Sequence, residues 1–281
     1  MRRRTRLAGA LALACAFALA GHADATTAPP TRTLLAVGDI ASCTSNGDEQ
    51  TAALVSRIPG TIAVLGDIAY ENGSDTDFAN CFEPSWGKLV PRIKAALGNH
   101  EYNTPGAAPA FKLFGLPPHG WYSYSLGAWH VIVLNSNCSE IGGCGRDSPQ
   151  TRWLAADLAR HPARCTLAYW HHPRFSSGGH GSDTTYAPFW DVLARAKADL
   201  VLQGHDHDYE RFAPLKGIRS FVVGTGGKSH TPTLIPRTGS VVRNSTTFGV
   251  LRLTLRPTGY DWKFLPAGTG TFTDAGTSRC R

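Results

Sequence analysis

Five apolar runs in this chain end in residues able to ligate a metal ion. LLAVGD stops at Asp39, IAVLGD at Asp67, KAALGN at Asn99, LAYWH at His171, and LVLQGHDH at His205 and His207. With Tyr70, three residues past Asp67, they offer two carboxylates, an amide, three imidazoles and a phenol. Oxygen and nitrogen donors without sulfur suit Zn, Fe or Mn, and suit Mg less well among so many imidazoles. Six or seven ligands exceed what one tetrahedral ion needs. They match two ions about 3.5–4 Å apart sharing a bridging carboxylate. Such a pair could bind phosphate-ester oxygens and bring the pKa of a bound water to about 7, so that a metal-bound hydroxide attacks phosphorus in line.

Ligands placed this way need elements that each deliver one chain position to a common edge, and β-strands do so. Gly-Asp and Gly-Asn also make turns and helix caps, which accounts for any one of these run ends but not for five together. The pattern between them is strand, loop, helix, repeated. A helix is expected over Asp48–Arg57, stopped by Pro59-Gly60, and helix-like spacing recurs near Phe78–Leu89. The stretch Asn103–His119, rich in Pro, Gly and Ala, reads as a long loop bordering a site. WYSYSLGAWHVIVLNS reads as a hairpin turning near Gly127-Ala128. Ser148–Arg160, with Pro149 at a favourable first position, and Ala187–Lys197 read as helices. From Phe221 to Leu265 the chain is strand-rich. This order predicts an α/β protein with a mixed sheet, or two packed sheets, flanked by helices. In open α/β sheets ligands bind beyond the carboxyl ends of the strands, where the ligand residues lie.

The first 25 residues read as a secretory signal peptide. Arg2, Arg3, Arg4 and Arg6 precede the apolar run Leu7–Ala20, and Ala23-Asp24-Ala25 supplies a cleavage site. Residues 26–32 form a short lead-in, and 33–281 a single catalytic domain. The expected location is secreted, periplasmic or extracellular, with no membrane anchor after cleavage. Removing that segment, with its four arginines and Asp24, takes the net charge from +7 to about +4. The excess is scattered, without a basic run or aromatic stripe, so no nucleic-acid-binding surface is evident. A mild positive potential favours an anionic substrate.

Six cysteines remain: Cys43, Cys81, Cys138, Cys144, Cys165 and Cys280. An even count in an exported protein reads as up to three disulfides, for which sequence alone permits fifteen pairings. Cys138 and Cys144 flank the Gly-rich SEIGG and could close a small loop. Cys165 with Cys280 could tie down the C-terminal tail, leaving Cys43 with Cys81. No CxxC spacing supports a thiolate metal site.

Asp39, GDIAY, GNHE, the histidine of WHHP and GHDHDYER, in this order over residues 39–211, resemble the five-block signature of calcineurin-like metallophosphoesterases, and most of all purple acid phosphatases. The resemblance implies a four-layer α/β/β/α sandwich of two packed mixed sheets, with a dinuclear centre at the strand ends. By position, Asp67 would bridge the metals. Asp39, Tyr70 and His207 would complete one site, and Asn99, His171 and His205 the other. A tyrosine ligand marks an Fe(III) position, so the pair would be Fe with Zn, Fe or Mn. His100 and His180 would be catalytic, assisting the transition state or the leaving group, and Glu101 would orient a neighbouring histidine. The first block departs from the family's DxG, reading Asp39-Ile40-Ala41, so the loop after Asp39 is expected to differ. HxP spacing to Pro173 favours His171 over His172 as the ligand.

The expected function is an exported metal-dependent phosphatase acting on small phosphate monoesters. The alternatives are a phosphodiesterase or nucleotidase with the same centre, or a non-catalytic exported binding protein on this scaffold. His119, His130, His161 and His230 stand outside any block and read as surface or structural residues. FVVGTGGKS resembles a phosphate-cradling loop only loosely, because its first glycine would stand at Val222. No GxSxG elbow is present for a serine hydrolase.

Overall fold

A computed structural model describes residues 29–281, so the signal-peptide reading of residues 1–25 and the start of the lead-in lie outside the described residues. Two mixed sheets stack face to face. The first has the order β13 (Ala275–Arg279), β12 (Gly259–Pro266), β11 (Gly249–Arg256), β1 (Arg32–Val37), β2 (Thr61–Leu65), β3 (Ile93–Ala96). The second has the order β10 (Ser240–Asn244), β8 (Tyr209–Phe212), β9 (Arg219–Val223), β7 (Leu200–Gln203), β6 (Cys165–Tyr169), β5 (Trp129–Val133), β4 (Tyr122–Leu126). Within them β1, β2 and β3 run parallel, as do β5, β6, β7 and β9.

Side-chain alternation along the strands builds three apolar layers. Leu34 and Ala36 of β1, Ala63 and Leu65 of β2, and Trp129, Val131 and Val133 of β5 join the core between the sheets. Their neighbours Leu35, Val37, Ile62 and Val64 face outward and bury against helix Gly47–Ser56 and the helical turns of residues 75–92. On the other side Ile132, Ala168 and Val201 pack with residues of helices Pro149–Arg160 and Ala187–Arg195. The result is the four-layer sandwich. Parallel strands covered on both faces explain why the sequence shows continuous apolar runs.

The parallel strands end in step. Leu65 pairs with Ala96 in register, and Tyr169 pairs with Leu202, so the residues beyond them emerge side by side. Ser148 caps helix Pro149–Arg160 through its hydroxyl, and Pro149 occupies the first turn. The hairpin turns at Gly127-Ala128, and Gly127 has φ +63°. Disulfides join Cys43 to Cys81, Cys138 to Cys144 and Cys165 to Cys280.

Two segments differ from expectation. Asn103–His119 is not a loop throughout: it carries helix Ala108–Phe114, with Pro109 in its first turn and left-handed Gly115 as its stop. Phe111 and Phe114 pack on the outward face of the first sheet, and that burial outweighs the loop-like composition. The expected helix near 78–89 is part of a chain of short turns of different pitch over residues 78–92, with Pro84 and Pro91 preventing a continuous helix.

Candidate metal centre

The first sheet delivers Asp39, Asp67 and Asn99 from the ends of β1, β2 and β3. The second delivers His171 beyond β6 and His205 and His207 beyond β7. Their side chains meet in two groups around one shared atom. The Tyr70 hydroxyl lies 3.0 Å from Asp39 Oδ1, 3.1 Å from Asp67 Oδ2 and 3.2 Å from His207 Nε2. His171 Nε2 lies 3.1 Å from both Asn99 Oδ1 and His205 Nδ1, and 3.2 Å from Asp67 Oδ2. Asp67 Oδ2 therefore stands between a phenol–carboxylate–imidazole group and an amide–imidazole–imidazole group.

The local backbone is bent to make this possible. Asp39, Asp67 and His205 have φ of +60°, +49° and +72°. That left-handed region costs an L-residue about 1–2 kcal/mol, and Asp and His tolerate it better than most side chains. Such strain persists where surrounding structure over-determines it, commonly at functional sites. The preceding glycines serve close approach. A Cβ on Gly98 would stand 2.0 Å from Asp67 Oδ1, and one on Gly66 would strike the His171 ring at 2.6 Å.

The donor set fits metal ions. His171 Nδ1 donates to the Leu65 carbonyl at 2.8 Å, which turns the lone pair of Nε2 toward an amide oxygen, a carboxylate oxygen and a second imidazole nitrogen. Acceptors converging on one nitrogen call for positive charge between them: a proton on His171 Nε2 in the metal-free protein, which a bound metal ion would displace. Asp39 and Asp67 are buried, and among the described residues their ion partners are histidines, not lysine or arginine. Burial opposes a charge on His171, yet Asp67 and Asp39 pull its pKa up to about 9. Burial likewise opposes ionisation of Asp67, but His171 and His100 hold its carboxyl well below the usual range. Desolvation pushes His205 down and His207 down to about 4, which keeps both in the neutral form that ligates.

Around this cluster the shell differs in part from the expected one. Glu101 is fully buried, but it does not orient a histidine. Its carboxylate accepts from the backbone N–H of Asp67 (3.0 Å), Ile68 (2.7 Å) and Gly98 (2.8 Å), with Ala69 at 3.4 Å. It therefore fixes the two turns that carry Asp67 and Asn99. His100 packs against the Tyr70 ring with centroids 4.4 Å apart, its Nδ1 2.5 Å from the Glu71 carbonyl and its Nε2 3.9 Å from Asp67 Oδ2. His180 lies over His205, ring centroids 4.1 Å apart, and is half exposed. His172 stays beside the cluster, its ring 4.5 Å from that of His205 between centroids, while its Nδ1 meets Ser136 Oγ at 2.8 Å.

Sequence reasoning assigned no role to Asp206 or Ser229. Asp206, buried between the two histidines of GHDH, accepts from His180 Nδ1 (3.0 Å), His180 N (2.8 Å) and Ser176 Oγ (2.5 Å), and so holds the His180 loop against the site. Ser229 meets His207 Nδ1 at 2.7 Å, and it belongs to the GTGGKS stretch that carries no ligand. Lys228 of the same stretch lies over the Tyr70 ring at 4.8 Å and pairs with Glu71. His119 and His230 are elsewhere, stacked on Trp121 and Phe248, and His130 and His161 meet around Asp157.

A two-sheet sandwich with a buried carboxylate–imidazole cluster at its parallel strand ends is the architecture of metallophosphoesterases. The chain belongs to the calcineurin-like phosphoesterase family, whose sequence model matches residues 32–209. It is similar to purple acid phosphatase 15 of Arabidopsis thaliana, 24% identical over 62% of this chain and 40% of the plant protein. It is also similar to human acid phosphatase type 7, 27% identical over 62% of this chain and 44% of that protein. The chain thus spans less than half the length of these relatives. Among solved structures, yellow lupin purple acid phosphatase PPD1 superposes with a TM-score of 0.73 at 17% identity, covering 89% of this chain and 54% of that one. Plasmodium GAP50, described as the anchor in the inner membrane complex, superposes with a TM-score of 0.74 at 16% identity, covering 89% of each chain. At these identities the superpositions speak for the fold. Family membership implies a dinuclear metal centre.

Proposed function

We propose that this protein is an exported phosphatase that hydrolyses small phosphate monoesters at a two-metal centre. Asp39, Tyr70, His207 and the bridging Asp67 would hold one ion, and Asn99, His171, His205 and the same bridge the other. The observation that carries this reading is the position of Asp67 Oδ2, within 3.2 Å of donors on both sides. A tyrosine in one group and none in the other makes iron the proposed occupant of the first position, with Zn, Fe or Mn in the second.

When bound, the ion pair would neutralise charge on the phosphate oxygens and acidify a water. The chain's own side chains supply the rest. Glu101 keeps the Asp67 and Asn99 turns in place. His100 spends its Nδ1–H on the Glu71 carbonyl, which aims Nε2 at the cluster, and as the imidazolium it would donate from Nε2 to a phosphate oxygen. His180, anchored through Nδ1 by Asp206, keeps Nε2 for the oxygen of the departing alcohol. Export is supported by the leader-like N-terminus and the three disulfides.

The test compares a monoester with a bis-ester chromogenic substrate, on the parent protein and on Asn99→Ala and His171→Ala. The expected result is monoester hydrolysis that drops sharply in both variants while the disulfide-tied fold persists. Preference for the bis-ester would move the assignment to a phosphodiesterase. Variants that hydrolyse as well as an active parent would remove the two-metal reading, and a metal-loaded parent inactive on both esters would leave the binding-protein alternative on this scaffold.

A further inference from the structure

On the face away from the strand-end site, three donor side chains converge that the reaction does not use. His130 points from β5 toward helix Pro149–Arg160, because its neighbours Trp129 and Val131 fill the core between the sheets. Asp157 comes from the last turn of that helix, and His161 follows one turn later at i+4, on the same face. His130 Nε2 lies 2.7 Å from Asp157 Oδ2, and His161 Nδ1 lies 3.1 Å from Asp157 Oδ1. The two imidazole rings are nearly parallel at 28°, centroids 5.2 Å apart, so both present a nitrogen to the same carboxylate.

We propose that His130, Asp157 and His161 form a further, mononuclear site for zinc or a similar borderline divalent ion, separate from the strand-end centre. One donor atom from each lies within 4.8 Å of the other two. Zinc bonds of about 2.0–2.2 Å in a tetrahedron place donors about 3.4 Å apart, so small side-chain adjustments complete three of four positions. Two nitrogens and a carboxylate form a borderline donor set that favours zinc over magnesium or calcium. His130 and Asp157 are buried, and among the described residues the only further side-chain partner of Asp157 is the Ser123 hydroxyl at 2.9 Å, which would orient the ligating carboxylate; His161 Nδ1 also lies 3.0 Å from the Asp157 carbonyl, a contact that an ion would replace. His161 is half exposed, so its side of the cluster is open to solvent for an ion and a completing water. The bound ion would staple the end of the helix to the second sheet.

The experiment measures zinc bound per chain, after loading and exhaustive dialysis, for the parent protein, His161→Ala and His161→Glu. Because His161 is half exposed, its replacement should leave the fold intact, and circular dichroism checks this. One equivalent more in the parent than in His161→Ala is expected, with phosphatase activity equal in the two. His161→Glu, which keeps a ligand, should retain that equivalent with weaker affinity. Added zinc should also raise the melting temperature of the parent more than that of His161→Ala. Because the readout is a difference between parent and variant, it holds whatever the strand-end centre contains. Equal stoichiometry and equal thermal shifts would overturn the proposal and leave the cluster a hydrogen-bonded His–Asp–His group.

Discussion

Asp67 and His171 lie 3.2 Å apart although they belong to different sheets, one beyond β2 and the other beyond β6. Their contact closes the strand-end site across the sandwich, and both side chains are buried. Asp67→Asn keeps the shape but removes the charge shared by the two donor groups. Hydrolysis should fall on the order of 10³-fold, the scale of several kcal/mol of lost charge stabilisation. Metal content should fall with it. Steady-state kinetics and metal analysis on one preparation check both, and parent-like values would show that Asp67 is not the bridge.

Glu101 offers a test of the backbone scaffold. Both of its oxygens accept from main-chain N–H groups, Oε1 from Ile68 and Ala69 and Oε2 from Asp67 and Gly98. In Glu101→Gln either amide orientation sets an NH2 against N–H donors. We expect about 1–3 kcal/mol of lost stability and about 10–100-fold weaker metal binding. Denaturant melts and chelator competition measure the two, and no change in either would remove the positioning role.

What the sequence discloses about the site, and what it hides, follows from where each residue sits. Asp39, Asp67, Asn99, His171 and His205 stand just past buried apolar runs, so the strand ends and the residues that cluster beyond them were legible together. Asp206 was not, because it sits between two histidines in a turn-like GHDHD and its partners are 26–30 residues away in sequence. The GNHE block drew Glu101 toward its neighbouring histidine, whereas its partners are backbone amides that leave no mark on side-chain patterns. Helix Ala108–Phe114 was masked by Gly106, Pro109 and Gly115, which punctuate its ends rather than break its middle. Strand β13, AGTSR, has no apolar alternation. It is an edge strand held by backbone pairing to β12, with Cys280 anchored to Cys165 just beyond it.

In the proposed centre Tyr70 would distinguish the two metal positions. Its hydroxyl contacts Asp39, Asp67 and His207, and burial together with Asp39 keeps its pKa well above the ordinary phenol value when no cation is present. Only a strongly acidic ion would then draw a phenolate from it, which suits Fe(III). The iron-loaded protein should show a strong visible band near the purple region, and Tyr70→Phe should lose it. A colourless parent rich in zinc or manganese would retire the iron assignment while leaving the two-metal site.

Asp48 predicts a pH dependence of stability away from the chemistry. It is buried in the first turn of helix Gly47–Ser56, its Oδ1 has no hydrogen-bond partner among the described residues, and burial pushes its pKa up to about 6, with Glu49 adding to the effect. The unfolded chain loses this proton near pH 3.8, the folded chain near 6, so stability falls as pH rises through that window and is level above it. The ceiling is about 3 kcal/mol. Asp48→Asn should therefore gain stability relative to the parent between pH 4 and pH 7.5. A constant difference between the two proteins over that range would contradict the linkage.

His180 and Asp206 should set the alkaline side of the activity profile. The hydrogen bond and charge of Asp206 raise the His180 pKa above its ordinary value, outweighing partial burial. A raised imidazole pKa keeps the proton to higher pH, and a leaving alkoxide needs that proton. In the parent, kcat should hold until pH passes the raised His180 pKa and fall beyond it. Asp206→Asn weakens the hydrogen bond and removes the charge, so the fall should begin at lower pH while the acid side is unmoved. His180→Ala should lower kcat by about 10²-fold, the scale of one general acid, with less effect on substrates whose leaving groups need no proton. Comparing a nitrophenyl with an alkyl phosphate across pH separates the two effects. If the alkaline limb stays in place in both variants, His180 is not the acid, and its link to Asp206 serves only to hold the loop.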